Sequence, residues 1–163
     1  MLIYLKNKQT LQIGDFYFKC CIGANGLTQK KIEGDKKTPK GKFKIHHLFY
    51  RRRKNYKINT KLKLIEIKKD MGWCDDSNSN FYNKLINTNK KIRHEKLFRK
   101  DNKYDLMIPI KYNFEKSIKD HGSCIFIHLT KDYKPTAGCI ALKKEDFLIM
   151  LKLINKKSKI IIS

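Results

Sequence analysis

The chain has 163 residues, 38 Lys+Arg against 15 Asp+Glu, a formal net charge of +23 and 40% hydrophobic residues. A chain of this size buries about 68–70% of its unfolded surface, so a core can form without disulfide or metal staples, and the 21 Ile, 9 Phe and 8 Tyr argue against intrinsic disorder. The longest near-apolar run, Phe147 to Ile154, is far short of the roughly 18 residues of a membrane span, and the first residues alternate polar and apolar instead of forming the apolar stretch of a secretory signal.

In chain order, the first half reads as short strands. Leu2–Leu5, Leu11–Ile13, Phe16–Ile22, Lys42–His46 and Leu62–Ile67 are β-branched or aromatic runs, several with period-2 alternation, punctuated by glycine-containing turns. Residues 72–93 are polar and Asn-rich, which predicts a long ordered loop with one short helix near Asn80–Ile86. Tyr104–Tyr112 and Ser123–Leu129 read as two further strands, and the near-continuous apolar character of the second predicts a central position. Lys143–Asn155 places Phe147, Leu148, Leu151 and Ile154 on one helical stripe, with Glu145 and Asp146 near its start, where they suit the helix dipole. Ile160–Ile162 predicts a closing strand. No internal repeat or low-complexity linker divides the chain, so a single β-rich α+β domain is expected over residues 1–163.

The five cysteines, Cys20, Cys21, Cys74, Cys124 and Cys139, are odd in number and contain no CxxC pair, which argues against a disulfide framework or a thiolate zinc site. At least one thiol is free, and the plain reading of a free Cys is a small buried hydrophobe. The basic excess is concentrated in residues 30–69, with 16 Lys+Arg and 3 acids. Within it Phe49, Tyr50, Arg51, Arg52, Arg53 and Tyr56 have the composition of a nucleic-acid surface, where cations neutralise phosphates and aromatics stack on bases. Against specific readout, 33 of the 38 cations are Lys, whereas bidentate recognition of phosphate or guanine favours Arg. A polyanion-binding domain with nonspecific, salt-sensitive binding is the alternative this leaves.

One segment departs from packing logic. His128 ends an apolar strand, and Gly138-Cys139 follows after ten intervening residues that include Pro135. An imidazole held on a rigid strand can take the proton of a cysteine thiol and so activate it. Gly138 allows a sharp turn and close approach of substrate, and amide N–H groups of such a turn can face a developing oxyanion. The plain alternative is a satisfied core His and a buried Cys. Cys124, four residues before His128, shares its strand parity and is the rival thiol, expected to be the more buried.

The segment Cys124 to Leu142 resembles the C-terminal signature of the L,D-transpeptidase catalytic-domain family, a strand ending in His followed by Ser/Thr-x-Gly-Cys, here Thr136-Ala137-Gly138-Cys139. Gly34-Asp-Lys-Lys-Thr38-Pro39-Lys-Gly41-Lys-Phe43 resembles the family's Gly-Asp-x-x-Thr-Pro-x-Gly-x-Phe hairpin. Gly72-Trp73-Cys74-Asp75-Asp76, Tyr82-Asn83, His94-Glu95-Lys-Leu97 and Tyr104-Asp105 resemble a subgroup's landmarks in order. The resemblance implies a β-sandwich-like fold with a C-terminal helix and a cysteine acyltransferase acting on peptidoglycan stem peptides. In it Cys139 is the nucleophile and His128 its base, the thioester being resolved by an amine (transpeptidation) or by water (carboxypeptidation). It implies no metal or organic cofactor, and a periplasmic or cell-wall location, although this N-terminus shows no export signal. Thr136 and Gly138 beside the nucleophile, and Trp73 and Asp75 in the polar segment, are the substrate-binding candidates. Trp73 as an anchor on the core, and Asp75 as a solvated or capping carboxylate, are the alternatives. The segment lacks the second His and the Arg of the commonest family signature, Ser-His-Gly-Cys followed by an aliphatic residue and Arg or Asn. Carboxylate recognition therefore falls to basic residues elsewhere or to the Trp73–Asp76 loop. His94 and His121 could each assist the site, but a His beside Glu95 or Asp120 reads more readily as a surface pair.

Overall fold

The computed structural model describes residues 1–53, 56–89 and 91–163. Lys54 and Asn55, in the basic stretch, and Lys90, in the 72–93 segment, lie outside them. The strands are β1 (Leu2–Asn7), β2 (Thr10–Ile13), β3 (Phe16–Lys19), β4 (Leu27–Thr28), β5 (Thr38–Pro39), β6 (Gly41–Lys44), β7 (Leu48–Tyr50), β8 (Leu64–Glu66), β9 (Met71–Cys74), β10 (Leu85–Asn87), β11 (His94–Lys96), β12 (Leu106–Pro109), β13 (Phe126–Leu129) and β14 (Ile140–Leu142). Helix α1 (Lys144–Leu153) and strand β15 (Lys159–Ile162) complete the chain.

Two five-stranded sheets form a sandwich-like, β-rich fold: sheet I in the order β3-β2-β1-β15-β6, and sheet II in the order β14-β13-β12-β7-β8. Alternation decides which side chains meet. Ile3, Leu5, Leu11, Ile13, Phe18, Ile160 and Ile162 of sheet I turn inward onto Leu48, Leu106, Ile108, Ile127, Leu129, Ile140 and Leu142 of sheet II. Phe147, Met150, Leu151 and Ile154 add the apolar stripe of α1 to the same core. Each such side chain contributes about 1.5–3 kcal/mol by leaving water. The N-cap Lys143 makes no side-chain cap, so Glu145 and Asp146 meet the helix N-terminus through charge.

The strand containing His128 is central, as its apolar run predicts: β13 lies between antiparallel β12 and parallel β14, with all four residues buried. It is shorter than Ser123–Leu129 because Cys124 has φ 55°, a left-handed backbone that cannot continue a pleat. The polar segment differs more. Residues 72–93 form most of a third sheet, β10-β9-β11, and no helix covers Asn80–Ile86. Tyr82 N–H and Lys84 N–H instead bond the carbonyls three residues back, at 3.0 Å each, and Asn83 has φ 57°, which turns the chain into β10. This third sheet encloses a second core on the outer face of sheet II, built from Phe49, Ile67, Trp73, Leu97, Tyr104, Met107, Phe126 and Cys139.

In the basic-aromatic stretch Arg52 and Arg53 are exposed, and several neighbours are tied to the fold. Phe49 is buried in the second core, Arg51 and Arg53 lie 3.3 and 3.1 Å from the Asp105 carboxylate, and Tyr56 donates to it at 3.1 Å.

Candidate active site

His128 alternates with Ile127 and Leu129, so it leaves sheet II on the face away from the main core. Its Nδ1 lies 2.8 Å from the Leu129 carbonyl. A carbonyl only accepts, so Nδ1 carries the ring proton and Nε2 is the free acceptor. The Tyr104 ring packs edge-on against the imidazole, with centroids 5.2 Å apart, and its hydroxyl donates to Glu95. Burial, at 6% exposure, pushes the His128 pKa down to about 4, with the Lys103 and Arg99 charges adding to the effect. At neutral pH the imidazole is therefore uncharged, the form a base requires.

Cys139 stands one residue before β14, whose Ala141 pairs with His128 across the parallel ladder. The turn that delivers it is fastened from three sides. Gly138 has φ 141°, and a Cβ there would come within 2.9 Å of the Lys37 carbonyl. Thr38 Oγ1 donates to the Gly138 carbonyl at 2.8 Å and accepts from Gly23 N–H at 2.9 Å. Thr136 Oγ1 donates to the Cys139 carbonyl and accepts from Gly138 N–H at 3.1 Å. The thiol itself donates to the Cys124 carbonyl at 3.1 Å and accepts from Phe126 N–H at 3.3 Å. Burial pushes the Cys139 pKa far up, and the Glu95 charge pushes the same way. The resting pair is a neutral thiol and a neutral imidazole, without a preformed thiolate–imidazolium ion pair.

Both side chains line one cavity of about 390 Å³, together with Thr136, Asp75, Glu95 and Cys124. Trp73 and Gly138 are not in its wall. Trp73 is 2% exposed and donates through Nε1 to Asn83 Oδ1 at 3.0 Å. Gly138 acts through backbone shape, behind the nucleophile. Cys124 lies outside the strand and is half-buried, more open than the 6% exposed Cys139, which reverses the order expected from the sequence. His94 bonds the Ile92 carbonyl through Nδ1 at 2.6 Å, and its ring lies against Gly72.

Several participants escaped the sequence reading. Asn83 Oδ1 accepts from both Trp73 Nε1 and, at 3.2 Å, Cys124 N–H, while its amide nitrogen donates to the Tyr112 and Asn113 carbonyls at 3.0 and 2.6 Å. Its only signal was its place beside Tyr82. Glu95, whose carboxyl pKa burial raises, and Tyr104 were visible merely as landmarks. Among the cavity's cations, Lys31 pairs with Asp35, Arg99 with Asp101, and Lys134 with Asp132, whereas Lys103 has no ion pair among the described residues.

The model for the L,D-transpeptidase catalytic domain, the YkuD family, matches residues 1–162. The chain belongs to that family. No curated protein matches it. Membership makes this an L,D-transpeptidase-type domain of peptidoglycan cross-linking, with peptidoglycan as the substrate class at family level. No helix among the described residues is long and apolar enough to cross a membrane.

Proposed function

We propose that residues 1–163 form one catalytic unit in which Cys139 is the acyl-accepting nucleophile for a peptidoglycan stem peptide and His128 is its base. The observation that carries this is that Cys139 and an uncharged, tautomer-fixed His128 line the wall of one cavity, within a chain the family model covers over 1–162. The thiol turns from the Cys124 carbonyl toward His128 Nε2 and gives up its proton as Sγ attacks the carbonyl that joins the stem's diamino acid to its terminal D-residue. The Cys139 N–H faces the oxyanion, since Gly138 N–H is taken by Thr136. Collapse breaks the C–N bond, the imidazolium returns its proton to the leaving amine, and the acyl group stays on Sγ as a thioester. A second stem's side-chain amine resolves it as a cross-link; water resolves it as a carboxypeptidase product.

Thr136 and Asp75 line the substrate channel on this reading, and Lys103 takes the terminal carboxylate that the family's missing Arg would otherwise hold. Members of the family are typically periplasmic or wall-associated, and this chain's site is expected to meet its substrate there.

Intact mass measured after incubation with a disaccharide tetrapeptide, and separately with a carbapenem, tests the assignment. Wild type should gain the acyl mass with loss of the terminal D-amino acid, and Cys139→Ala should gain nothing from either reagent. An adduct on the folded Cys139→Ala protein would overturn it. In the same assay Lys103→Gln should need about tenfold more tetrapeptide for half-maximal acylation, the loss of one charge-assisted contact of ~1.5 kcal/mol. An unchanged requirement would remove that role.

A further inference from the structure

The acids of this chain are unevenly placed. The five strands of sheet I contain no Asp or Glu, and their five lysines, Lys6, Lys19, Lys42, Lys44 and Lys159, all leave on the side opposite the core. Lys159 stands directly across from Lys44, and Ile161 across from Lys42. On the same face Tyr4 pairs with Gln12 and Gln12 with Tyr17, the two tyrosines being 37% and 64% exposed. Lys19 lies over the Tyr133 ring, but Lys6, Lys42, Lys44 and Lys159 have no ion pair among the described residues. Like charges set directly across a ladder repel, and no acid among the described residues pairs with them. This contrasts with Arg51 and Arg53, whose charge is met by Asp105.

We propose that this outer face of sheet I is a docking surface for a bilayer bearing anionic phospholipid. Lysine ammonium groups suit the negative surface potential of such a bilayer, each gaining roughly 1 kcal/mol near it. Tyrosine rings, with one apolar body and one polar tip, suit the headgroup layer. Leu2 and Ile161, half-buried between the lysines, and exposed Met1 add apolar contact that a phosphodiester backbone would not reward. The face also carries no arginine, the cation best fitted to planar phosphate or base readout. Docking here leaves the catalytic cavity free. Ile127 and Leu129 point to sheet I while His128 points away from it, so Lys42, Lys44 and Lys159, on the outer side of sheet I, face away from His128, and Lys19 alone of the face's lysines reaches the loop beside the cavity. None of this depends on Cys139 being the nucleophile.

The test is co-sedimentation with vesicles of phosphatidylcholine alone and of phosphatidylcholine with one quarter phosphatidylglycerol, at two salt concentrations. Wild type should partition only onto the anionic vesicles and less at the higher salt. K42Q/K44Q/K159Q should lose about a hundredfold, three lysines at roughly 1 kcal/mol each. The charge-matched K84Q/K116Q/K119Q, whose lysines line a separate surface depression, should lose less than about threefold. Circular dichroism and urea midpoints should show the first variant folded and no less stable, because Lys44 and Lys159 no longer repel. Equal losses in the two variants would assign binding to net charge and overturn the proposal, as would wild-type partition of the first variant. Absence of vesicle binding, with a DNA duplex bound through the same three lysines, would overturn it in favour of nucleic acid.

Discussion

Asn83 holds more of the site together than any residue flagged for chemistry. It is 3% exposed and uses all its hydrogen-bonding capacity, joining the only Trp to the backbone that presents Cys124 and tying both to residues 112–113. The Cys124 carbonyl is in turn the acceptor for the Cys139 thiol. Asn83→Ala would leave the Trp73 and Cys124 N–H groups and two carbonyls without partners, at about 1–3 kcal/mol for each buried group that water cannot reach. We expect a loss of at least about 3 kcal/mol in urea unfolding. Asn83→Asp should do no better, because its second oxygen would face the Tyr112 and Asn113 carbonyls. An Asp variant of wild-type stability would show that the two carbonyl contacts carry nothing. Sequence reading named Trp73 as a substrate-binding candidate or core anchor and Asn83 as a landmark without joining them, since a hydrogen bond between side chains ten positions apart leaves no local pattern.

At the scale of elements, apolar runs and one amphipathic stripe made much of the sandwich legible: β1, β2, β6, α1 and β15 lie close to where they place them, and β13 falls within its apolar run. The third sheet was hidden because its strands are three or four residues long, too short for any period to register. The shortened β13 was hidden too, because nothing marks Cys124 as left-handed until Asn83 is there to hold it. The Gly turn before Cys139 was legible, but the device that fixes the turn was not. Thr38 comes from a hairpin 100 residues away and bridges Gly23 N–H to the Gly138 carbonyl with one buried hydroxyl. Thr38→Val keeps the shape and removes both bonds. It should cost about 1–3 kcal/mol and slow acylation of Cys139 more than Thr38→Ser, which keeps the hydroxyl. Equal acylation rates for the Val and Ser variants would remove Thr38 from the positioning of the turn.

For the molecule as a whole, histidines with lowered pKa values weaken it in acid. The His128 pKa is about 4 in the folded protein against 6.5 ordinarily, and His46, half-buried beside His47, is likewise pushed down to about 4. A depressed histidine pKa means that between these values the unfolded chain binds a proton that the folded chain refuses. The stabilisation from a neutral His128 is therefore complete above pH 6.5 and is lost as pH falls from 6.5 toward 4. For His128 this amounts to about 3 kcal/mol at the acid end. Glu95 acts with the opposite sign, since burial raises its carboxyl pKa and the folded chain takes up that proton first as the pH falls. Urea midpoints followed from pH 7.5 to 4.5 should fall steeply for wild type and less steeply for His128→Asn, which cannot titrate; Glu95→Gln should steepen the fall by removing the compensating group. Parallel slopes for wild type and His128→Asn would mean that His128 is not held neutral. On the proposed mechanism a neutral His128 bears on catalysis too, because an imidazole with a pKa of about 4 is free to accept the thiol proton over the whole neutral range. The acylation rate should then show no inflection near pH 6.5, and the acid limb should appear only as the pH approaches 4.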